Sequence, residues 1–178
     1  EKEQLTSFIL GCRADRTHSW FEMFKDPIWK PALHLSEDKQ QKKSFKRMKQ
    51  ISKKKLLSVF DFQSDVKNVF LAHEMLAYID LSTVVKSTAH YNLVAGSILN
   101  LKSGNNENLL KEMDKLKVVG VFALTELGFG NNNLKMETTF TYDHSTQEFI
   151  VNSPTPLSRK AWMANTVRDG TLALVMGQ

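Results

Sequence analysis

Residues 118–124, Val-Val-Gly-Val-Phe-Ala-Leu, restrict the fold of this chain more than any other stretch. A short, almost wholly apolar run suits a buried strand. It breaks at once into Thr125-Glu-Leu-Gly-Phe-Gly-Asn131-Asn132, where two glycines free the backbone among hydroxyl, carboxylate and amide groups. Such a junction can bring main-chain N–H groups close to a ligand. Helical spacing precedes this junction and strand-like spacing follows it. A helical block and then a strand block is the α+β pattern.

The totals narrow the class further. At 178 residues the chain suits one domain, or one domain and part of another. No apolar run approaches the roughly 18 residues of a membrane span, so no transmembrane segment is expected. No charged start leading into an apolar core is present, as a signal peptide would require. Cys12 is the single cysteine, which excludes an internal disulfide and a thiolate metal cluster. The five histidines are scattered without zinc-ligand spacing, so no metal site is expected.

The net charge of +5 is a local effect. Residues 39–55 hold nine Lys or Arg and no acid, whereas 15 basic residues face 19 acidic ones elsewhere. Ser36, followed by Glu37 and Asp38, reads as the N-cap of a basic amphipathic helix running to about Ser58. Its apolar stripe would be Phe45, Met48, Ser52 and Leu56. A row of cations suits anionic lipid or nucleic acid. A solvated face laying lysine stems on the protein body explains it equally simply, and is favoured because no aromatic residues beyond Phe45 of the apolar stripe are interleaved for base stacking. No nucleic-acid partner is expected.

Before that helix, residues 6–10 and 20–24 suit helix faces, and the prolines at 27 and 31 mark an extended or turn segment. After it, Val66, Val69, Phe70 and His73 share a helical spacing within 61–75. Residues 77–80 make a break, and Val84, Val85, Ala89, Leu93, Ile98 and Leu101 suit a helix buried among others. His90 within it reads as a hydrogen-bonded core residue. Ser103-Gly104-Asn105-Asn106 breaks the pattern and can cap a short helix over 107–114.

Past the opening junction, 136–142 is strand-like, Asp143 opens a turn, and 148–152 returns as the partner strand. Residues 171–176 form a further strand. Three or four strands cannot close a barrel, and an apolar terminal strand leaves an edge, so a β domain cut short is expected.

The wording Phe122-Ala-Leu-Thr-Glu-Leu-Gly-Phe-Gly-Asn-Asn132 resembles the flavin-binding stretch of the acyl-CoA oxidases, within the acyl-CoA dehydrogenase superfamily. So do Asp26-Pro-Ile-Trp29, His90-Tyr-Asn-Leu93, residues 137–143 and 146–154, and Lys160-Ala-Trp162, all in family order. The likeness is densest over 119–162. It implies an all-helical domain at 1–116, followed at 117–178 by the first part of an antiparallel β-barrel or sandwich domain of the acyl-CoA dehydrogenase type. It also implies FAD as cofactor, a fatty acyl-CoA substrate desaturated to the trans-2-enoyl-CoA with O2 reduced to hydrogen peroxide, a homodimeric parent and a peroxisomal setting.

Carried over by position, Thr125 bonds the flavin ring edge and Leu124 offers main-chain contact. Gly130 belongs to the cofactor-binding set, Asn131 lies near the pyrophosphate and CoA, Trp162 packs by the isoalloxazine, and Ala164 lies beside the reactive flavin atoms. Without the family, Thr125 reads as a strand-end residue and Trp162 as a core residue. Phe129 stands where the family commonly has His, and residues 163–170 hold one glycine where several are expected. Both changes add bulk beside the flavin and count against its retention. The family's catalytic carboxylate lies in a C-terminal region that this sequence does not include, and neither Glu126 nor Glu137 takes its place. Two readings stand beside the oxidase: an inactive relative acting through interactions, and a basic module at 39–58 that binds anionic lipid or nucleic acid.

Overall fold

The computed structural model describes residues 4, 5, 8, 13–101 and 104–178. The suggested helix face at 6–10 lies outside these apart from Phe8, as do Cys12 and Ser103. Two compact units divide the chain, Glu1–Val118 and Val119–Gln178. The first is helical and the second carries the strands, an α+β arrangement.

In the first unit, α1 (Ala14–Phe24) buries Trp20 and Met23 and leads into a 3-10 turn at Pro27–Trp29. Helix α2 (Glu37–Lys53) carries the basic run. Ser36 stands at its N-cap, although its hydroxyl makes no capping bond. The helix stops five residues before the expected Ser58, because Lys55 turns to φ 54° and the chain folds inward to bury Leu56 and Leu57. The buried stripe is Ser44, Arg47, Met48 and Ile51, with Phe45 and Ser52 only half-buried. A charged residue therefore occupies a position that hydrophobicity alone assigns to the surface.

Helices α3 (Asp61–Ser64), α4 (Val66–Ala77) and α5 (Leu81–Ser87) follow, with Asp80 capping α5 by accepting from Ser82 N–H at 3.2 Å. The face expected on α4 is partly wrong: Val66 and Phe70 are exposed, while Asn68, Leu71, Ala72, Met75 and Leu76 are buried with Val69. Asn68 explains the rotation, because it donates to Leu56 O and Asp61 Oδ2 and must therefore face inward. The long helix expected to Leu101 is interrupted by a π-helical segment, Thr88–Ala95, before α6 (Gly96–Leu101). Val85, Leu93 and Leu101 are exposed, Ala89 is buried as expected, and Thr83, Ser87, His90, Tyr91, Val94, Ala95, Gly96 and Leu99 are buried with it. The wider π turn lets neighbours His90 and Tyr91 both point inward, edge to face at 4.7 Å. Helix α7 (Glu107–Asp114) closes the unit and supplies Met113 O to His90 Nε2 at 3.0 Å.

The second unit contains β1 (Gly120–Ala123), β2 (Thr139–Asp143), β3 (Glu148–Asn152) and β4 (Leu172–Val175). Strands β2 and β3 form the expected antiparallel hairpin, Thr139 opposite Asn152, with Asp143 Oδ1 accepting from the N–H and hydroxyl of Ser145 in the turn. Strands β1 and β4 pair in parallel, Gly120 opposite Leu172, a pairing that hydropathy patterns do not reveal. The excursion between them is long enough to bring the chain back in the same direction. Gln178 then donates to Thr138 O and accepts from Phe140 N–H, so the line of β4 continues on to β2.

Burial holds the His90 imidazole down to about 4, against the opposing pulls of the Met113 carbonyl and Asp114. An unfolded imidazole binds its proton near pH 6.5. Stability is therefore full above that value and falls as pH drops toward 4. Urea unfolding should lose about 2 kcal/mol between pH 7 and pH 5, and His90→Gln should remove most of that slope. An unchanged slope in the variant contradicts this assignment.

Candidate functional site

The polar half of the opening stretch folds around one carboxylate. Glu126 is 1% exposed. Its Oε2 accepts from Glu137 N–H at 2.9 Å, and its Oε1 accepts from Thr138 N–H at 2.9 Å and from the Thr138 hydroxyl at 2.6 Å. The Lys160 ammonium reaches Oε1 at 3.2 Å and also donates to Leu124 O at 3.1 Å. Burial alone pushes this carboxyl up, but the Glu137 N–H, both Thr138 donors and Lys160 together hold it down to about 2. A side chain so fully engaged is a structural anion, unavailable as a base. Glu137 is engaged as well, accepting from the Thr155 hydroxyl at 2.6 Å.

Main-chain pairing then sets the site's residues side by side. Glu126 bridges to Gly130 and to Lys160. Leu127 N–H donates to Arg159 O, Gly128 N–H to Leu157 O, and Ala161 N–H to Thr125 O. Residues 124–128 thus lie against 157–161, which sets Thr125 against Ala161, the residue before Trp162. The two glycines do different work. A Cβ at Gly128 would come within 2.6 Å of Leu157, so this glycine permits close packing. Gly130 turns at φ 59° into open space.

The sequence-derived site residues divide into two groups. Leu124 and Thr125 lie on the segment paired with the one that leads into Trp162, while Gly130 and Asn131 lie on the exposed far side of the turn. Leu124 and Thr125 are half-buried at the strand end, with the Leu124 carbonyl taken by Lys160. Among the described residues, the hydroxyl and N–H of Thr125 have no hydrogen-bond partner. Trp162 is 93% exposed, which corrects its reading as a core residue. It also holds φ 59°, a region that costs a bulky residue of order 1–3 kcal/mol and that collects at functional sites.

The loop after Trp162 shows how a chain poor in glycine makes this turn. Asn165 takes φ 69°, is buried, and donates to Gly120 O at 3.1 Å. Asp169 and Gly170 both donate back to Asn165 O. Gly170 is the one glycine kept because a Cβ there would meet Val121 at 2.2 Å. Ala164 precedes this turn, half-buried. Sequence reasoning missed Lys160, Thr138 and Asn165, whose partners lie 12 to 45 residues away in the chain. Among the described residues no group of His, Cys, Asp and Glu could hold a metal ion, and no helix is long and apolar enough to cross a membrane.

No protein-family model matches the chain. It is 35% identical over 158 residues to human peroxisomal acyl-coenzyme A oxidase 3, an alignment covering 86% of this chain and 22% of that protein. Acyl-CoA oxidase 1 from Yarrowia lipolytica shares its fold at a TM-score of 0.79 and 23% identity, over 96% of this chain and 25% of that one. Acyl-CoA oxidase-2 from Caenorhabditis elegans, solved bound with FAD, ascaroside-CoA and ATP, matches at a TM-score of 0.75 and 23% identity, over 98% and 27%. The chain spans about a quarter of the length of these relatives.

Replacing Glu126 with Gln should destabilise the second unit by on the order of 3 kcal/mol, because Lys160 loses its counter-charge. The depressed carboxyl gives a stability that is complete above about pH 4.5 and lost as pH falls through about 2. Amide hydrogen exchange over residues 119–178 reads this directly, and wild-type exchange rates in the variant contradict it.

Proposed function

We propose that this chain, a homologue of one segment of the acyl-CoA oxidases, supplies part of the FAD site of a peroxisomal acyl-CoA oxidase. The observation that carries the reading is the exposed Trp162, held at φ 59° directly after the Ala161 that pairs with Thr125, whose hydroxyl and N–H have no hydrogen-bond partner among the described residues. A planar ring edge needs a donor pair at one rim and an apolar face beside it. These two residues present that combination, and so fit the isoalloxazine of a flavin.

When bound, FAD supplies the electron sink for desaturating a fatty acyl-CoA thioester to the trans-2-enoyl-CoA, with O2 as final acceptor and hydrogen peroxide as product. The share of this chain is binding and orientation. Thr125 donates its hydroxyl and N–H to the ring edge, while Leu124 holds the strand end through the Lys160 ammonium. Trp162 covers the ring with its indole and excludes water. Gly130 brings bare backbone, and Asn131 an amide, toward the phosphate-bearing end. Ala164 keeps the volume beside the ring small. Phe129 and the Asn165 turn reshape the rim of the site. Proton abstraction from the thioester is assigned to no residue of this chain, because Glu126 and Glu137 are both committed to holding the fold.

Titration of the purified chain with FAD should quench flavin fluorescence. Thr125→Val should weaken binding about tenfold, the equivalent of one hydrogen bond, and Trp162→Ala should abolish the quenching. Absence of FAD binding to the wild-type chain, or equal binding by both variants, overturns the proposal. Fatty acyl-CoA added to the FAD-loaded chain should yield no hydrogen peroxide.

A further inference from the structure

One feature of the helical unit stands apart from the flavin reading. Arg47 is 6% exposed, although it lies in the middle of the basic run. Its Nε donates to Ile28 O and its Nη2 to Lys30 O, both at 2.8 Å, and its Nη1 pairs with Asp80 at 2.6 Å. One guanidinium therefore fastens two separate loops against α2: the segment after Trp29 and the turn between α4 and α5. Asp80 is in turn held by the Thr83 hydroxyl and caps α5.

Both fastened loops present apolar side chains to water. Leu33 occupies the tip of a turn closed by Leu35 N–H on Ala32 O, and is 88% exposed. Turn tips ordinarily take Gly, Asn or Asp, and a leucine there contributes nothing to a core. On the other loop Tyr78 is 76%, Ile79 43% and Leu81 69% exposed. Leu33 and Ile79 line one cleft of about 270 Å³ together with Lys43, whose ammonium donates to Lys30 O. Lys39 and Lys46 are exposed, and lie within one helical turn of Lys43. Glu37 and Asp38 offset part of this charge, with Asp38 pairing Lys42 at 2.8 Å, yet cations remain in excess. The Lys43 ammonium is lowered by burial and by Arg47, so a neighbouring anion would relieve it.

We propose that these two clamped loops and the adjoining lysines of α2 dock on an anionic phospholipid surface. Leu33, Tyr78, Ile79 and Leu81 enter the headgroup region, and Lys39, Lys43 and Lys46 lie at the level of the lipid phosphates. The combination selects this partner over nucleic acid. Lysines alone suit either polyanion, but rigid aliphatic tips beside them have no base to read and gain only from leaving water. Tyrosine at the rim matches the amphipathic interface. Arg47 makes the arrangement effective, because loops already fixed lose little freedom on binding.

Cosedimentation of the chain with vesicles of phosphatidylcholine containing about one-third phosphatidylserine tests this. The chain should bind them, ignore pure phosphatidylcholine, and release as salt rises. Leu33→Ser/Ile79→Ser and Lys39→Ala/Lys46→Ala alter mainly exposed side chains, and each should weaken binding at least about fivefold while circular dichroism stays unchanged. No binding to anionic vesicles overturns the proposal. So does binding that ignores the serine pair, or capture by duplex DNA as strong as by vesicles.

Discussion

A carboxylate with almost no solvent contact organises the strand-bearing unit. Glu126 collects donors from residues 137–138 and from Lys160, two places that the sequence keeps well apart. Desolvating a charge is expensive, and only a full set of donors offsets it. Once those donors are in place, the chain either side of Glu126 has little choice. Gly130 must turn back, 124–128 must lie along 157–161, and Trp162 must emerge directly after the Ala161 that pairs with Thr125. The exposed and strained position of the indole follows from this anchoring.

The helical unit uses the same device for another purpose. Arg47 is a buried charge whose donors reach two carbonyls and a carboxylate, and it clamps loops instead of a turn. His90, by contrast, is buried neutral within the π-helical segment, with Met113 O accepting from its ring. The two ionic centres rigidify their surroundings, while the imidazole makes its unit sensitive to acid.

Local signals were readable from sequence. The Asp143 turn, the strand at 148–152, the short helix at 107–114 and the break at 77–80 each rest on neighbouring residues, and each was legible for that reason. So was the junction after Leu124. The helix faces were read less well. Hydrophobic spacing placed Phe70, Val85 and Leu93 inward, whereas Asn68, Thr83 and Ser87 are buried; for Asn68 and Thr83 the reason is that polar groups with buried partners outrank apolar side chains that other surfaces can tolerate. The parallel pairing of β1 with β4 and the Glu126–Lys160 contact depend on separations of dozens of residues, which no local periodicity encodes. The indole at 162 was misread without the family because a tryptophan is ordinarily buried, and nothing local marks a left-handed backbone at that position.

Glu126 is an ionised anchor under the site throughout the range in which the second unit is folded. Isotope labelling of glutamate and a carbon NMR titration of the native chain test it most directly. The Glu126 carboxyl carbon should stay in its ionised position through pH 4 and move only toward about pH 2, together with loss of the second unit. A midpoint near 4.5 with the fold intact would contradict it.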